Sequence, residues 1–129
     1  MTTAPSSQTL PSQSALDREI MKLSFGDDRT FTCGTMRIYM RDAPELAEKA
    51  LAAIRQGDNE AMAVNAHALK GITSYFNRGE MYQLCLTIEH LGRDSALPLQ
   101  SVHALGTWSQ MNAGLTEMLA AMKQYLNEE

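Results

Sequence analysis

Hydrophobic residues recur at intervals of three and four along most of the chain, the spacing that places side chains on one face of an α-helix. No stretch shows the sustained alternation and β-branched enrichment of a strand. The pattern therefore predicts an all-α protein. Its most economical arrangement is an antiparallel up-and-down four-helix bundle, with a short additional N-terminal helix laid across one end.

Capping residues and helix breakers set the predicted boundaries in the first half of the chain. A short helix is predicted from about residue 15 to residue 25, ending at Gly26, and Asp27 or Asp28 then caps a second helix. Pro44 and the two residues before it are expected to interrupt or bend this helix, because proline lacks an amide proton and crowds the preceding turn. Gly57 is expected to end the next stretch in the left-handed conformation.

The second half of the chain is predicted to hold three further helices. Asp58 caps the first of them, which extends to about Phe76, where Asn77 is expected to take the left-handed conformation of a turn. The second is followed by a loop over residues 92–96. The last is long and amphipathic. Its predicted core-facing residues are Leu105, Trp108, Asn112, Leu115, Leu119, Met122 and Leu126.

Length, composition and charge limit the kinds of protein that fit this pattern. The 129 residues suffice for one domain, predicted over residues 14–127, after a tail or linker over residues 1–13 whose Pro, Ser, Thr and Gln content favours disorder. The net charge of −4 removes the attraction that general nucleic-acid or anionic-membrane binding requires. No apolar run approaches the roughly 20 residues that span a bilayer, and no signal-peptide pattern is present, so a cytoplasmic protein is expected.

His67 points away from the core side of its predicted helix. At about 100° per residue, five residues of the segment share a core-facing side that lies opposite the imidazole. They are Met62, Ala66, Leu69, Thr73 and Phe76. The exposed side around His67 is predicted to carry Ala63, Lys70, Gly71 and Ser74. The pattern therefore indicates an accessible imidazole with small residues beside it.

Lys70 and Gly71 indicate what this imidazole does. A glycine inside a helix reduces stability by about 1 kcal/mol relative to alanine. Its presence at position 71 therefore indicates that the space beside His67 is needed, as it would be for a docking protein. Lys70, one turn on, supplies a cation for a phosphoryl group carried by the ring. The segment lacks the carboxylates that a metal site requires. These residues therefore indicate phosphate chemistry on histidine.

Residues 66–71, AHALKG, resemble the phospho-acceptor motif of the histidine-containing phosphotransfer (HPt) domains of bacterial and fungal phosphorelays. His67 matches the phosphorylated histidine, and the similarity continues without gaps over residues 42–93. The resemblance implies the HPt helical bundle. It also implies that Lys70 steadies the phosphoryl group and that Gly71 lets a receiver domain approach.

The resemblance extends to two side chains on the following helix. Glu89 stands where the family commonly has Gln or Glu, and is expected to accept the Nδ1 proton of His67, which leaves Nε2 outward as the nucleophile. Arg93 matches a basic position in some members. The residues expected to contact a docked receiver domain are Ala63, Gly71, Ser74 and Arg93.

The resemblance implies a phosphoryl carrier rather than an enzyme. His67 would take a phosphoryl group from a receiver aspartate and pass it to another receiver. The expected partners are response-regulator receiver domains and a hybrid sensor histidine kinase. The chain itself is expected to need no cofactor, because Mg2+ would be held in the acidic pocket of the partner receiver. A monomer is expected, since the His67 face must stay free.

Two departures from the family pattern keep an alternative open. The family usually has Ser or Ala after the Lys-Gly pair and glycine at the helix end, where this chain has Ile72-Thr73 and Asn77. The alternative is an HPt-like helical adaptor that binds a partner without phosphotransfer. An enzyme is disfavoured because the sequence has no Gly-rich phosphate loop or GxSxG motif. A di-iron bundle is disfavoured because no histidine follows a glutamate by three residues.

Overall fold

All regular secondary structure in the described part of the chain is helical. The structure, a computed structural model, describes residues 15–94 and 100–128, and the predicted tail over residues 1–13 lies outside them. The helices are α1 (Arg18–Phe25), α2 (Arg29–Gln56), α3 (Asn59–Thr73), α4 (Glu80–Arg93) and α5 (Gln100–Asn127). No strand occurs within the described ranges, so the all-α prediction is confirmed. None of these helices is long and apolar enough to cross a membrane.

Helices α2 to α5 form the predicted four-helix bundle. Each packs against two others, in the closed order α2, α3, α4, α5 and back to α2. The buried hydroxyl groups of Tyr39 and Thr73 lie 2.9 Å apart and join α2 to α3. The indole Nε1 of Trp108 donates to the carbonyl of Ala47 at 2.9 Å and joins α5 to α2. Short connections between successive helices make the neighbours antiparallel.

The short helix α1 packs at one end of the bundle, as predicted. The amide of Asp17 donates to the carbonyl of Phe76 at 2.8 Å, just beyond the end of α3. The ring of Phe25 lies 5.3 Å from that of Phe76, centre to centre. The guanidinium of Arg29 bonds the carbonyl of Tyr125 at 2.8 Å, which joins the start of α2 to the last turns of α5. These contacts leave the middle of α3 uncovered by α1.

Helix α2 continues through Pro44, so the predicted interruption is wrong. Its 28 residues form one helix with the proline inside. A proline within a helix costs about 3 kcal/mol or more. Tyr39, Ala43 and Ala47, on the two sides of Pro44, are buried against the other helices. Keeping the helix continuous preserves this burial, and tertiary packing therefore outweighs the local preference.

Most of the predicted caps are confirmed. Asp28 and Asp58 cap α2 and α3 through their side chains, and Gly57 has the left-handed φ of 71° at the end of α2. Helix α1 begins later than predicted, at Arg18, because Asp17 is its N-cap and accepts two backbone amides.

The turn after α3 differs from the prediction. Helix α3 ends at Thr73, and no residue other than glycine has a positive φ in the described ranges, so Asn77 is not left-handed. Its side chain instead accepts from the amide of Gly79 at 2.5 Å and donates to the carbonyl of Ala15 at 2.8 Å. Asn77 therefore makes a side-chain turn and also binds the segment before α1.

The predicted core face of α5 was displaced by one residue over much of the helix. Leu105 is exposed, whereas Leu115 and Met122 are buried as predicted. Over residues 103–127 of α5, the buried residues are Ala104, Thr107, Met111, Leu115, Met118, Ala121, Met122 and Tyr125. The prediction favoured leucine, but methionines and alanines make up most of the buried residues on this helix, and flexible methionine fills irregular gaps in a core.

Helix α4 includes Gly92, which was predicted to begin a loop. A Cβ atom at this position would lie 2.7 Å from the carbonyl oxygen of Asn59 and 2.8 Å from the amide nitrogen of Ala63. Glycine therefore permits the close approach of α3 and α4. The same contact buries Ala63, which is 6% exposed, so its predicted place on the open surface beside His67 is wrong.

Two glycine-to-alanine substitutions test this packing. We expect Gly92→Ala to destabilise the fold by about 1–3 kcal/mol, because the methyl group meets backbone atoms that cannot move independently. Gly71→Ala is the matched control, since a Cβ there has nothing within 4 Å. It should be neutral or stabilising by up to about 1 kcal/mol. Urea unfolding of both variants measures the difference, and equal effects would contradict the close approach.

Candidate functional site

The core-facing residues predicted for α3 are buried, and His67 lies on the opposite side of the helix. The five predicted core positions, Met62, Ala66, Leu69, Thr73 and Phe76, are each at most 2% exposed. The His67 side chain is 61% exposed. Helix α3 therefore holds the imidazole at the surface, in the middle of a helix that packs against α2 on one flank and α4 on the other.

Glu89 of α4 joins three side chains at this surface. Its Oε2 lies 2.9 Å from His67 Nδ1 and 2.6 Å from Arg93 Nη2, while its Oε1 lies 2.8 Å from Lys70 Nζ. We refer to His67, Lys70, Glu89 and Arg93 as the Glu89 cluster. Helix α3 contributes His67 and Lys70, and α4 contributes the other two. The cluster therefore depends on how closely these helices pack.

The carboxylate of Glu89 is the buried member of the cluster. Its side chain is only 6% exposed. Burial alone would raise its pKa, but hydrogen bonds from Lys70, Arg93 and His67 outweigh burial and lower the pKa to about 2. Glu89 is therefore ionised throughout the physiological pH range.

The ionised carboxylate determines which nitrogen of His67 carries the proton. A carboxylate can only accept hydrogen bonds, so Nδ1 must be the donor in the contact with Glu89. In the neutral imidazole, Nε2 then has a free lone pair. This arrangement leaves Nε2 as the nucleophilic atom of the ring.

The other predicted site residues have different surroundings. Gly71 is exposed, and its carbonyl accepts a hydrogen bond from the hydroxyl of the half-buried Ser74 at 2.6 Å. Arg93 was expected only to contact a partner, but its guanidinium also binds Glu89 within the chain. His90 and His103 are both exposed and lie outside the Glu89 cluster.

The sequence analysis did not predict that Lys70 and Arg93 both bind Glu89. Glu89 and Arg93 are four residues apart on one helix, a spacing that favours an ion pair, so this contact had a sequence signal. Lys70 lies on the neighbouring helix, and its contact depends on the relative positions of α3 and α4. No group of three or more His, Cys, Asp or Glu side chains is arranged to hold a metal ion within residues 15–94 and 100–128.

Comparisons with known proteins show the family to which the chain belongs. The family model of the Hpt domain matches residues 35–125, which is most of the chain. The chain therefore belongs to the Hpt domain family, whose members are phosphoryl carriers in two-component signalling rather than catalysts. The match includes every member of the Glu89 cluster.

A solved structure shares the fold. The HPT domain from the Hpt sensor hybrid histidine kinase from Shewanella is 19% identical to this chain, with a TM-score of 0.64. The superposition covers 89% of this chain and 96% of that one. A search of curated proteins gave no match.

The lowered pKa of Glu89 predicts a pH dependence of stability. Because the folded pKa of about 2 lies below the ordinary value of 4.5, ionised Glu89 stabilises the fold above about pH 4.5. That contribution is lost as the pH falls towards 2. Glu89→Gln should therefore be less stable than wild type at pH 7, with a difference that shrinks on acidification.

Urea unfolding of wild type and Glu89→Gln between pH 2 and pH 7 measures this difference. Glu45→Gln is the control, because Glu45 is exposed and its contact with Lys49 is a surface ion pair of 3.6 Å. A stability difference for Glu89→Gln that does not change with pH would show that the cluster does not hold an ionised carboxylate.

Proposed function

We propose that this chain carries a phosphoryl group on Nε2 of His67, accepting it from the aspartyl phosphate of one receiver domain and passing it to the aspartate of another. The observation that supports this most strongly is the bond between His67 Nδ1 and the buried Glu89 carboxylate. It directs the lone pair to the other nitrogen of an exposed ring. An ordinary surface histidine has no such partner.

The transfer follows from this geometry. The Nε2 lone pair attacks phosphorus, the bond between phosphorus and the aspartate oxygen breaks, and its electrons return to the aspartate carboxylate. The Nδ1 proton stays on the ring, where Glu89 balances the positive charge that forms there. The reverse sequence delivers the phosphoryl group to the second receiver.

Lys70 is suited to stabilise the phosphoryl group. Its ammonium has three protons, of which Glu89 accepts one, and its side chain is 16% exposed. The remaining protons are available to phosphoryl oxygens on the adjacent ring. Mg2+ in this proposal belongs to the acidic pocket of the receiver, and the chain itself needs no cofactor.

The surface next to His67 suits the approach of a receiver domain. Val64 and Gly71 share one exposed face of α3 beside the imidazole, and the exposed Tyr75 lies in the turn that follows the helix. Gly71 leaves open space on this face. A small, mainly apolar surface around a reactive group favours docking of a protein. We propose that the chain acts as a monomer, because a second copy on this face would cover His67.

Substitution of each histidine tests the site of phosphorylation. We expect His67→Gln to abolish labelling by a phosphorylated receiver, with circular dichroism and thermal stability near wild type, because the side chain is largely exposed. His90→Gln and His103→Gln are the controls and should still be labelled. Labelling of His67→Gln at the wild-type rate would instead favour the helical adaptor.

Substitution of Lys70 tests its role in transfer. Lys70→Ala should keep the fold but slow phosphoryl uptake, because a charge-assisted contact on the order of 1–3 kcal/mol is lost from the phosphorylated state. Lys49→Ala removes a lysine from an exposed surface pair and is the control. Rapid-quench transfer from a phosphorylated receiver measures both rates, and equal rates would remove Lys70 from the mechanism.

A bulky residue at Gly71 separates docking from chemistry. Gly71→Phe should block transfer from a receiver by filling the space beside His67, yet leave labelling by phosphoramidate, a small phosphoryl donor, largely unchanged. Gly106→Phe is the matched control, since Gly106 is also an exposed helical glycine with nothing within 4 Å of a Cβ. Normal receiver transfer by Gly71→Phe would place docking elsewhere.

A further inference from the structure

Arg93 and His67 bind the same oxygen of Glu89. Arg93 Nη2 lies 2.6 Å from Oε2 and His67 Nδ1 lies 2.9 Å from it, whereas Lys70 binds the other oxygen. The two donors therefore share one acceptor. The Arg93 side chain is 59% exposed, so it can be replaced without opening a cavity in the core.

The shared oxygen faces the proton that governs the reactivity of phosphohistidine. Once Nε2 carries a phosphoryl group and Nδ1 keeps its proton, the ring is positively charged, and imidazole can leave as a neutral molecule. Without that proton it would have to leave as an anion, which is a much poorer leaving group. Glu89 holds this proton in place, and a cation on the same oxygen weakens its hold.

Resting on the proposed function, we propose that Arg93 is a positioning residue that prolongs the life of phosphohistidine at His67 by competing with ring Nδ1 for Oε2 of Glu89. In the loss reaction, a water oxygen bonds to phosphorus as the bond to Nε2 breaks, and the electron pair of that bond goes to Nε2. Neutral imidazole and dihydrogen phosphate are the products, and both water protons stay on the phosphate.

The ionisable groups around His67 fit this account. Helix α3 contributes Lys70 and the exposed Glu60, which lines one surface pocket together with Arg93, and α4 contributes Glu89 and Arg93. On the other flank of α3, helix α2 carries charges that pair with one another, Asp42 with Arg41 and Glu45 with Lys49. Arg93 is thus the exposed cation through which the charge on Oε2 can be changed while Lys70 remains in place.

The experiment measures the lifetime of phosphohistidine without a partner protein. Wild type and variants are labelled with phosphoramidate, the donor is removed, and the loss of phosphohistidine is followed by 31P NMR between pH 6 and pH 9. Arg93→Gln should lose the label about two- to fivefold faster at pH 8. A rate change of this size corresponds to the energy of a partly exposed ion pair. The curve of phosphohistidine lifetime against pH for Arg93→Gln should also shift to higher pH.

Three further variants make the result specific. Arg55→Gln removes the same charge from an exposed position on α2 and should behave as wild type. Arg93→Lys keeps the charge and should restore most of the lifetime. Glu89→Gln should lengthen the lifetime, because an amide holds the Nδ1 proton less strongly than a carboxylate. Opposite effects at two bonded residues are not expected from a merely structural role.

The outcomes separate this proposal from the proposed function. If Arg93→Gln and Arg55→Gln have the same lifetimes and pH profiles, Arg93 does not act through Glu89, although His67 is still the acceptor. A shorter lifetime for Glu89→Gln would equally overturn the proposal. If wild type takes no label on His67, the proposed function is wrong and this inference falls with it.

Discussion

A buried carboxylate that needs three hydrogen-bond donors is the constraint on which the rest of the site depends. Removing an ionised carboxylate from water costs several kcal/mol, and that cost is offset only when its oxygens are well paired. Glu89 meets this condition through Lys70, Arg93 and His67. The imidazole therefore has a defined orientation although most of its surface faces solvent. The same contacts that stabilise Glu89 orient His67 for the proposed phosphoryl transfer.

The close packing of α3 and α4 makes this arrangement geometrically possible. Gly92, one turn from Glu89, lies against the backbone of α3 where no side chain would fit. Buried packing on the opposite side of α3 keeps that helix in place, and the bond between Tyr39 and Thr73 fixes it against α2. The bundle thus acts as a rigid support that brings side chains from two helices within hydrogen-bond distance.

Local sequence signals predicted those features that depend on one helix at a time. The caps Asp28 and Asp58, the left-handed Gly57 and the outward direction of His67 follow from backbone geometry and helical periodicity. Pro44 shows the limit of such signals. Proline tends to interrupt a helix, but packing of the residues on both sides of Pro44 outweighs this tendency. Lys70 also followed from its position one turn after His67, whereas Glu89 was added by the resemblance to HPt domains, because periodicity alone does not connect it with His67.

Features that depend on the distance between helices could not be read from the sequence. Ala63 and Gly92 both looked like solvent-facing or loop residues, yet they form the contact between α3 and α4. The binding of Lys70 to Glu89 depends on the same contact. Small residues are therefore ambiguous in a sequence. A small side chain can make room for a partner protein, as proposed for Gly71, or for a neighbouring helix, as at Gly92.

The role of the buried Glu89 carboxylate is tested most directly by identifying the phosphorylated atom. Phosphorus–nitrogen couplings in an NMR spectrum of the 15N-labelled protein distinguish the two ring nitrogens of each phosphohistidine. We expect one phosphorylated nitrogen, Nε2 of His67, with Nδ1 still protonated and bonded to Glu89. A phosphoryl group on Nδ1 of His67, or on another residue, would contradict the role assigned to the buried carboxylate.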